Sequence, residues 1–182
     1  MKFISAACNF ILILSIAFFF GACDEQKRAD ITSRNGFEIK TLEGETKFAR
    51  VEASDGRYNN LILEDNSKPT LYVFFLTDCP ECKKEFPHLI DMYNRYKGKV
   101  EIIGVLVESK SSEDAVDFVA SYQINFPVVL GAGAYRLADA VGGVKYVPAI
   151  HIYDSAGRYV SHFVGAAPQE MLESRVNGVI TE

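Results

Sequence analysis

The apolar run Leu71-Tyr72-Val73-Phe74-Phe75-Leu76 stops just before Asp78-Cys79-Pro80-Glu81-Cys82, and a helical pattern from Lys83 to Tyr96 starts directly after it. A buried strand that must hand over to a helix at this point fixes the local course of the chain. The two intervening residues place both sulfurs on the first turn of the helix, near enough to close a disulfide with little backbone movement. There the unpaired N–H groups and the positive end of the helix dipole favour thiolate over thiol, and thiolate is the form that attacks a disulfide. A zinc site on the same pair needs two more Cys or His ligands at finger-like spacing, and none follow.

Of the four cysteines, Cys8 and Cys23 belong to the N-terminal segment, which leaves one pair in the folded part. A structural disulfide framework needs more cysteines at wider spacing, so this pair reads as catalytic. His88, His151 and His162 are scattered singly and read as surface or packing residues, so no metal and no cofactor is implied. A net charge of -5 and the lack of a basic tract exclude nucleic acid as a partner, because phosphate neutralisation needs clustered Lys and Arg.

The length of 182 residues fits one domain behind a targeting segment. Residues 1–22 carry a single charge, Lys2, ahead of an apolar stretch, the pattern of a signal peptide or membrane anchor. Its end, Phe20-Gly21-Ala22-Cys23, resembles a bacterial lipobox, which makes Cys23 the expected lipid attachment site. An uncleaved transmembrane helix is the alternative. Either way the chain is tethered with residue 24 onward outside the cytoplasm, since Lys2 marks the inner side. Residues 23–36 are polar and aperiodic, a linker that lets the domain of residues 37–182 stand off the bilayer.

Phe37 to Leu42 alternates as a half-buried strand, Gly44 suits a turn, and Asp55-Gly56 marks a hairpin before the short strand Leu61 to Leu63. Thr70 to Leu76 and Val100 to Val107 read as buried strands, the second apolar on both faces as a central parallel strand is. Ser111-Ser112-Glu113-Asp114 matches a capping box and starts a helix to about Tyr122. A short strand from Phe126 to Leu130, a helix from Ala134 to Val141, a strand through Tyr153, a turn at Asp154 to Gly157, a strand from Tyr159 to Val164 and a helix from Pro168 to about Val176 complete the chain. This order implies a layered α/β sandwich: a mixed sheet with helices on both faces and an N-terminal β-hairpin.

Taken together, these segments resemble the thioredoxin superfamily, and within it the membrane-tethered ResA/TlpA-like branch of extracytoplasmic thiol-disulfide oxidoreductases. The resemblance spans about Phe37 to Val176. It rests on Cys79-Pro80-Glu81-Cys82 after a buried strand, on Pro87 as a helix kink five residues past the second cysteine, and on Val147-Pro148 at the family's cis-proline. Cys82-Lys83-Lys84-Glu85-Phe86-Pro87, Val107-Glu108-Ser109-Lys110 and Asn125-Phe126-Pro127-Val128-Val129-Leu130 are especially similar to that branch. There are departures. Val73 stands where thioredoxin has a buried aspartate, Asp78 replaces the tryptophan that commonly precedes the first cysteine, and Pro80 follows the first cysteine as in DsbA-like oxidants.

The resemblance implies roles. Cys79 is the exposed nucleophile and Cys82 the resolving thiol. Glu85, three residues on, matches a glutamate of ResA-like proteins and would exchange a proton with Cys82; a solvated helix glutamate is the bland alternative. Pro148, if cis, would approach the pair and free the Val147 backbone to pair with an extended substrate, alongside contacts from Pro80 and Glu81. The expected substrates are disulfides of exported proteins such as apocytochrome c, in the bacterial cell envelope. A membrane thiol reductant of CcdA/DsbD type would supply electrons. Asp78 and Glu81 push toward a reductant, because a like charge at ~6 Å costs a thiolate about 0.7 to 2.8 kcal/mol between the bulk-water and ε ~20 limits. A DsbA-type oxidase or isomerase and a Sco-like copper-binding protein are the alternatives.

Overall fold

The computed structural model describes residues 36–181 apart from Asp55. The expected signal or anchor over residues 1–22, the lipid site at Cys23 and the linker up to residue 35 lie outside the described residues. Among the described residues, no helix is long and apolar enough to cross a membrane.

Strands β1 (Gly36–Lys40), β2 (Thr46–Glu52) and β3 (Asn60–Leu63) form a small three-stranded sheet in that order. The second sheet has five strands, ordered β6 (Val128–Val129), β5 (Glu101–Leu106), β4 (Thr70–Phe75), β7 (Ala149–Tyr153) and β8 (Tyr159–Val164). β4, β5 and β6 run parallel, β7 runs antiparallel to β4, and β8 runs antiparallel to β7. Every residue of β4 is buried, as its apolar run requires of a strand covered on both faces. Its side chains divide by alternation. Leu71, Val73 and Phe75 enter one core, with residues of helices α1 (Pro80–Arg95), α2 (Ser112–Ser121) and α4 (Gln169–Thr181). Tyr72 and Phe74 enter the other, with α3 (Ala132–Ala140) and β1 to β3. The mixed sheet, the helices on both faces and the N-terminal hairpin are therefore all present.

Local chemistry sets the joints. Ser111 caps α2, its hydroxyl oxygen accepting from the Asp114 N–H at 3.0 Å. Asp154 shapes the β7–β8 turn by accepting from the N–H groups of Ala156 and Arg158. Gly157 in that turn has φ +75°, and a Cβ there would fall 2.7 Å from the Leu61 carbonyl oxygen. That closeness lets the Leu61 N–H donate to the Gly157 carbonyl at 2.8 Å and join the two sheets. At the far edge, Leu42 N–H donates to the Val128 carbonyl at 2.8 Å, and Thr41 bridges Val129.

Several boundaries differ from the sequence reading, among them the helix expected from Ala134 to Val141, which spans Ala132–Ala140. α1 begins at Pro80, three residues before the expected Lys83, because the apolar periodicity sets in only beyond Cys82, while proline suits the first helical position. Pro87 lies within α1 without ending it. α4 runs past Val176 to Thr181, since Val179 is buried and Ile180 packs on the same core despite the Asn177-Gly178 stop signal. β6 keeps only two residues of the strand expected over Phe126 to Leu130.

Candidate active site

The chain leaves β4 through residues 76–78, where the Thr77 N–H donates to Glu108 Oε1 at 2.6 Å. This ties the loop before the cysteines to the loop after β5. Cys79 follows as the N-cap of α1, with extended backbone, and Pro80 takes the first helical position, where its missing N–H is no loss. Cys79 therefore sits one residue outside the first turn expected to hold both sulfurs, and only Cys82 lies within it. The Cys82 N–H donates to Cys79 Sγ at 3.1 Å, so sulfur does here what a serine or aspartate oxygen does at an ordinary cap. Cys79 and Cys82 are joined as a disulfide, with Cα atoms 5.3 Å apart.

Cys79 is 8% exposed and Cys82 1% exposed, so an incoming group meets Cys79 first. Both sulfurs belong to the core that also holds Val73, Phe86 and Ile150. When the pair is reduced, the same N–H and the same helix end act on the Cys79 thiolate. Asp78, Pro80 and Glu81 around it are all exposed.

Glu85 is buried, at 6% exposure, and its Oε1 accepts from the Ala167 N–H at 2.6 Å. It lies three residues after Cys82 and so on the same face of α1. The solvated alternative is thereby removed. The carboxyl group fastens α1 to the chain between β8 and α4, inside the core that contains both sulfurs.

The Val147–Pro148 peptide is cis. β7 pairs Ala149 with Phe74, and one further step brings Pro148 opposite Phe75, the end of β4 from which the cysteine loop departs. The Pro148 carbonyl accepts from Gly165 N–H at 2.8 Å, and Val147 packs against the core that includes both cysteines. The fold thus gathers Cys79, Cys82, Val147 and Pro148 at one end of the sheet, with Glu85 behind them on α1.

Glu108 and Ala167 are site residues that sequence reasoning missed. Glu108 stands in a segment already noted for its resemblance, but its partner lies 31 residues away. The histidines need a correction. His88 stands alone near Glu173, but His151 and His162 are cross-strand partners with stacked rings 5.1 Å apart. Tyr159 Oη lies 2.7 Å from His162 Nδ1, and Tyr58 Oη lies 3.5 Å from its Nε2. His151 is 4% exposed with Nδ1 unpartnered, and burial together with the neighbouring His162 pushes its pKa down to about 4. Among the described residues, no group of three or more His, Cys, Asp and Glu side chains is placed to hold a metal ion.

Known proteins resemble this chain in sequence and in fold. The model of the AhpC/TSA family matches residues 45–160. The thiol-disulfide oxidoreductase ResA of Bacillus subtilis is 32% identical over 135 residues, covering 73% of this chain and 68% of that protein. The thiol-disulfide oxidoreductase YkuV of the same organism is 30% identical over 121 residues, covering 63% of this chain and 79% of that protein. Among solved structures, StoA of Bacillus subtilis superposes with a TM-score of 0.59 at 21% identity, covering 78% of this chain and 96% of StoA. A thiol:disulfide interchange protein of Chlorobium tepidum superposes with a TM-score of 0.62 at 16% identity, covering 80% and 94%. Both structures share the fold. With a cysteine pair at the head of a helix and this relatedness over most of its length, the chain belongs to the AhpC/TSA family as a thiol-disulfide oxidoreductase of the ResA type.

Proposed function

We propose that the protein reduces disulfides of exported proteins in the bacterial cell envelope, with apocytochrome c as the leading substrate. The observation that carries this reading is the placement of Cys79 at the cap of α1, more exposed than Cys82 and flanked by the exposed carboxylates Asp78 and Glu81. Reduced Cys79 attacks a substrate disulfide as thiolate and forms a mixed disulfide, releasing one substrate sulfur as thiolate. Cys82 then attacks Cys79, which frees the second substrate sulfur and leaves the protein oxidised by two electrons. The Glu85 carboxylate takes the Cys82 proton as that attack begins. Val147 offers its backbone to an extended substrate segment next to Pro148, with Pro80 and Glu81 lining the approach.

The direction of flow follows from what is added to a common motif. The N–H bond to Cys79 comes with the helix-capping geometry itself, and the acidic flanks raise the thiolate energy from that starting point. From exposed positions each acts near the bulk-water limit, roughly 0.7 kcal/mol at ~6 Å, so the shift toward a reductant is modest. The apolar leader over residues 1–22 and Cys23 supports a tether by lipid or by an uncleaved helix, with electrons drawn from a membrane thiol reductant of CcdA/DsbD type. Equilibration of the Cys79/Cys82 couple against glutathione tests the reading. A potential near that of thioredoxin, about -270 mV, is expected; one near that of DsbA, about -120 mV, would replace the reductant with an oxidant. Normal cytochrome c maturation in a deletion strain would discard the substrate and keep the reductase.

A further inference from the structure

On the face of the sheet away from α1, a cavity of about 340 Å³ opens beneath the loop that leads into Pro148. Arg57, Tyr58, Lys145, Tyr146, His151 and His162 line it. Its volume is at the low end for ligand sites, enough for a short stretch of peptide. Gly142 and Gly143, both at positive φ, leave part of the wall as bare backbone.

Its polar groups are arranged by depth. His151, on β7, is buried with Nδ1 unpartnered, while His162 on β8 has both ring nitrogens facing tyrosine hydroxyls. His151 stays neutral above a pH of about 4, so it adds a polar but uncharged group to the lining. Two cations lie further out. Arg57 and Lys145 are exposed, and neither has an acidic partner among the described residues. In a chain of net charge -5, two cations without an acidic partner among the described residues, beside one aromatic-walled cavity, favour a carboxylate. Tyr146, 72% exposed, adds an apolar surface at the same place.

The cavity wall and the redox site share one loop. Lys145 and Tyr146 immediately precede Val147 and Pro148, so a polypeptide engaged at Cys79 and pairing with Val147 passes them within a few residues. We propose that this cavity is a substrate subsite that takes an acidic side chain carried within a few residues of the cysteine under attack, with Arg57 and Lys145 as its specificity-determining residues. The subsite rests on the reductase reading for its substrate. Asp78 and Glu81 complement it, since they favour a basic residue next to that cysteine.

The test uses the full-length protein in detergent and labelled peptides that differ only in Glu, Gln or Lys at positions two to four from a single cysteine. In the first arm that cysteine is replaced by serine, and anisotropy reports binding to the oxidised protein without chemistry. Exposed ion pairs being weak one by one, the Glu peptide is expected to bind about five- to tenfold tighter than the Lys peptide. The preference should fall in high salt and reverse in the R57E/K145E double variant, whose unchanged melting temperature shows that it folds. In the second arm the peptide cysteine carries a mixed disulfide, and the reduced protein should react fastest with the Glu peptide. Affinities within twofold of each other, or a preference that survives charge reversal, would overturn the subsite whatever the exchange rates show. Glu-dependent binding without any exchange would instead overturn the reductase reading and leave the subsite in place.

Discussion

The two faces of the five-stranded sheet bury polar groups under different conditions. On the α1 face, the buried carboxylate Glu85 is bonded to the Ala167 N–H, while His88 Nε2 and Ser161 Oγ lack hydrogen-bond partners. On the opposite face, His151 and the hydroxyls of Tyr72 and Tyr153 are buried without partners, and burial pushes both tyrosine hydroxyls toward higher pKa. An unpartnered buried group destabilises by about 1 to 3 kcal/mol, whereas a satisfied one is close to neutral or favourable. The redox face therefore satisfies its buried carboxylate, whereas the cavity face leaves buried polar groups free to bond a ligand.

The largest effect is expected at the cysteines, where Cys79→Ala should lower disulfide exchange by roughly three orders of magnitude or more. Cys82→Ala should behave differently, retaining the first attack and accumulating a mixed disulfide visible by mass spectrometry. If both variants trapped substrate equally, the assignment of nucleophile and resolving thiol would be wrong.

On the cavity face, His151 ordinarily titrates near 6.5 and is held down to about 4. The unfolded chain thus binds more protons than the folded one between those values, and stability declines as pH falls through that window. The drop reaches on the order of 3 kcal/mol by pH 4. His151→Leu should flatten that part of the curve in chemical denaturation; an unchanged slope would place the titrating group elsewhere. On the redox face, Glu85→Ala should destabilise by about 1 to 3 kcal/mol by orphaning the Ala167 N–H. Glu85→Gln keeps an acceptor for that N–H, so it should restore most of the stability while still slowing exchange and altering its pH profile. A Gln variant with wild-type kinetics would make Glu85 a positioning residue alone.

The smallest effect concerns the surface between α1 and α4. Hydrogen bonds from Arg95 and Gln169 hold the Glu173 carboxyl down to about 2, against an ordinary value near 4.3. Its contribution is complete above the ordinary value and fades as pH falls toward 2. Arg95→Ala should return the Glu173 titration, followed by NMR, toward the usual carboxylate range.

The redox face was the more legible in sequence because its chemistry is contiguous. Cys79, Pro80, Cys82 and Glu85 lie within seven residues, and local spacing is enough to place them on one helix end. Pro148 was legible only through its resemblance. The histidine pair was hidden for a geometric reason. The turn at Asp154 to Gly157 pairs Tyr153 with Tyr159, and counting outward from it sets His151 against Ser161, which would turn His162 to the other face. A register shift between Ile152 and Tyr153 moves the ladder by one residue and brings His162 opposite His151. Tyr58 and Arg57 reach the same place from the link between β2 and β3, a distance no local pattern reports.

The bridge from Thr41 and Leu42 to β6 has a consequence for how copies of this protein meet. A strand two residues long, covered by the chain that follows β1, leaves no usable template at that side of the large sheet. The opposite side is β8, whose sequence Tyr159 to Val164 carries no Lys, Arg, Asp or Glu to discourage pairing, and whose Val164 is 56% exposed. With one such side available on this sheet, backbone pairing through it consumes the template in a single step. A sheet blunted at one side has room for a single added strand, where a sheet open at both sides could grow into a filament.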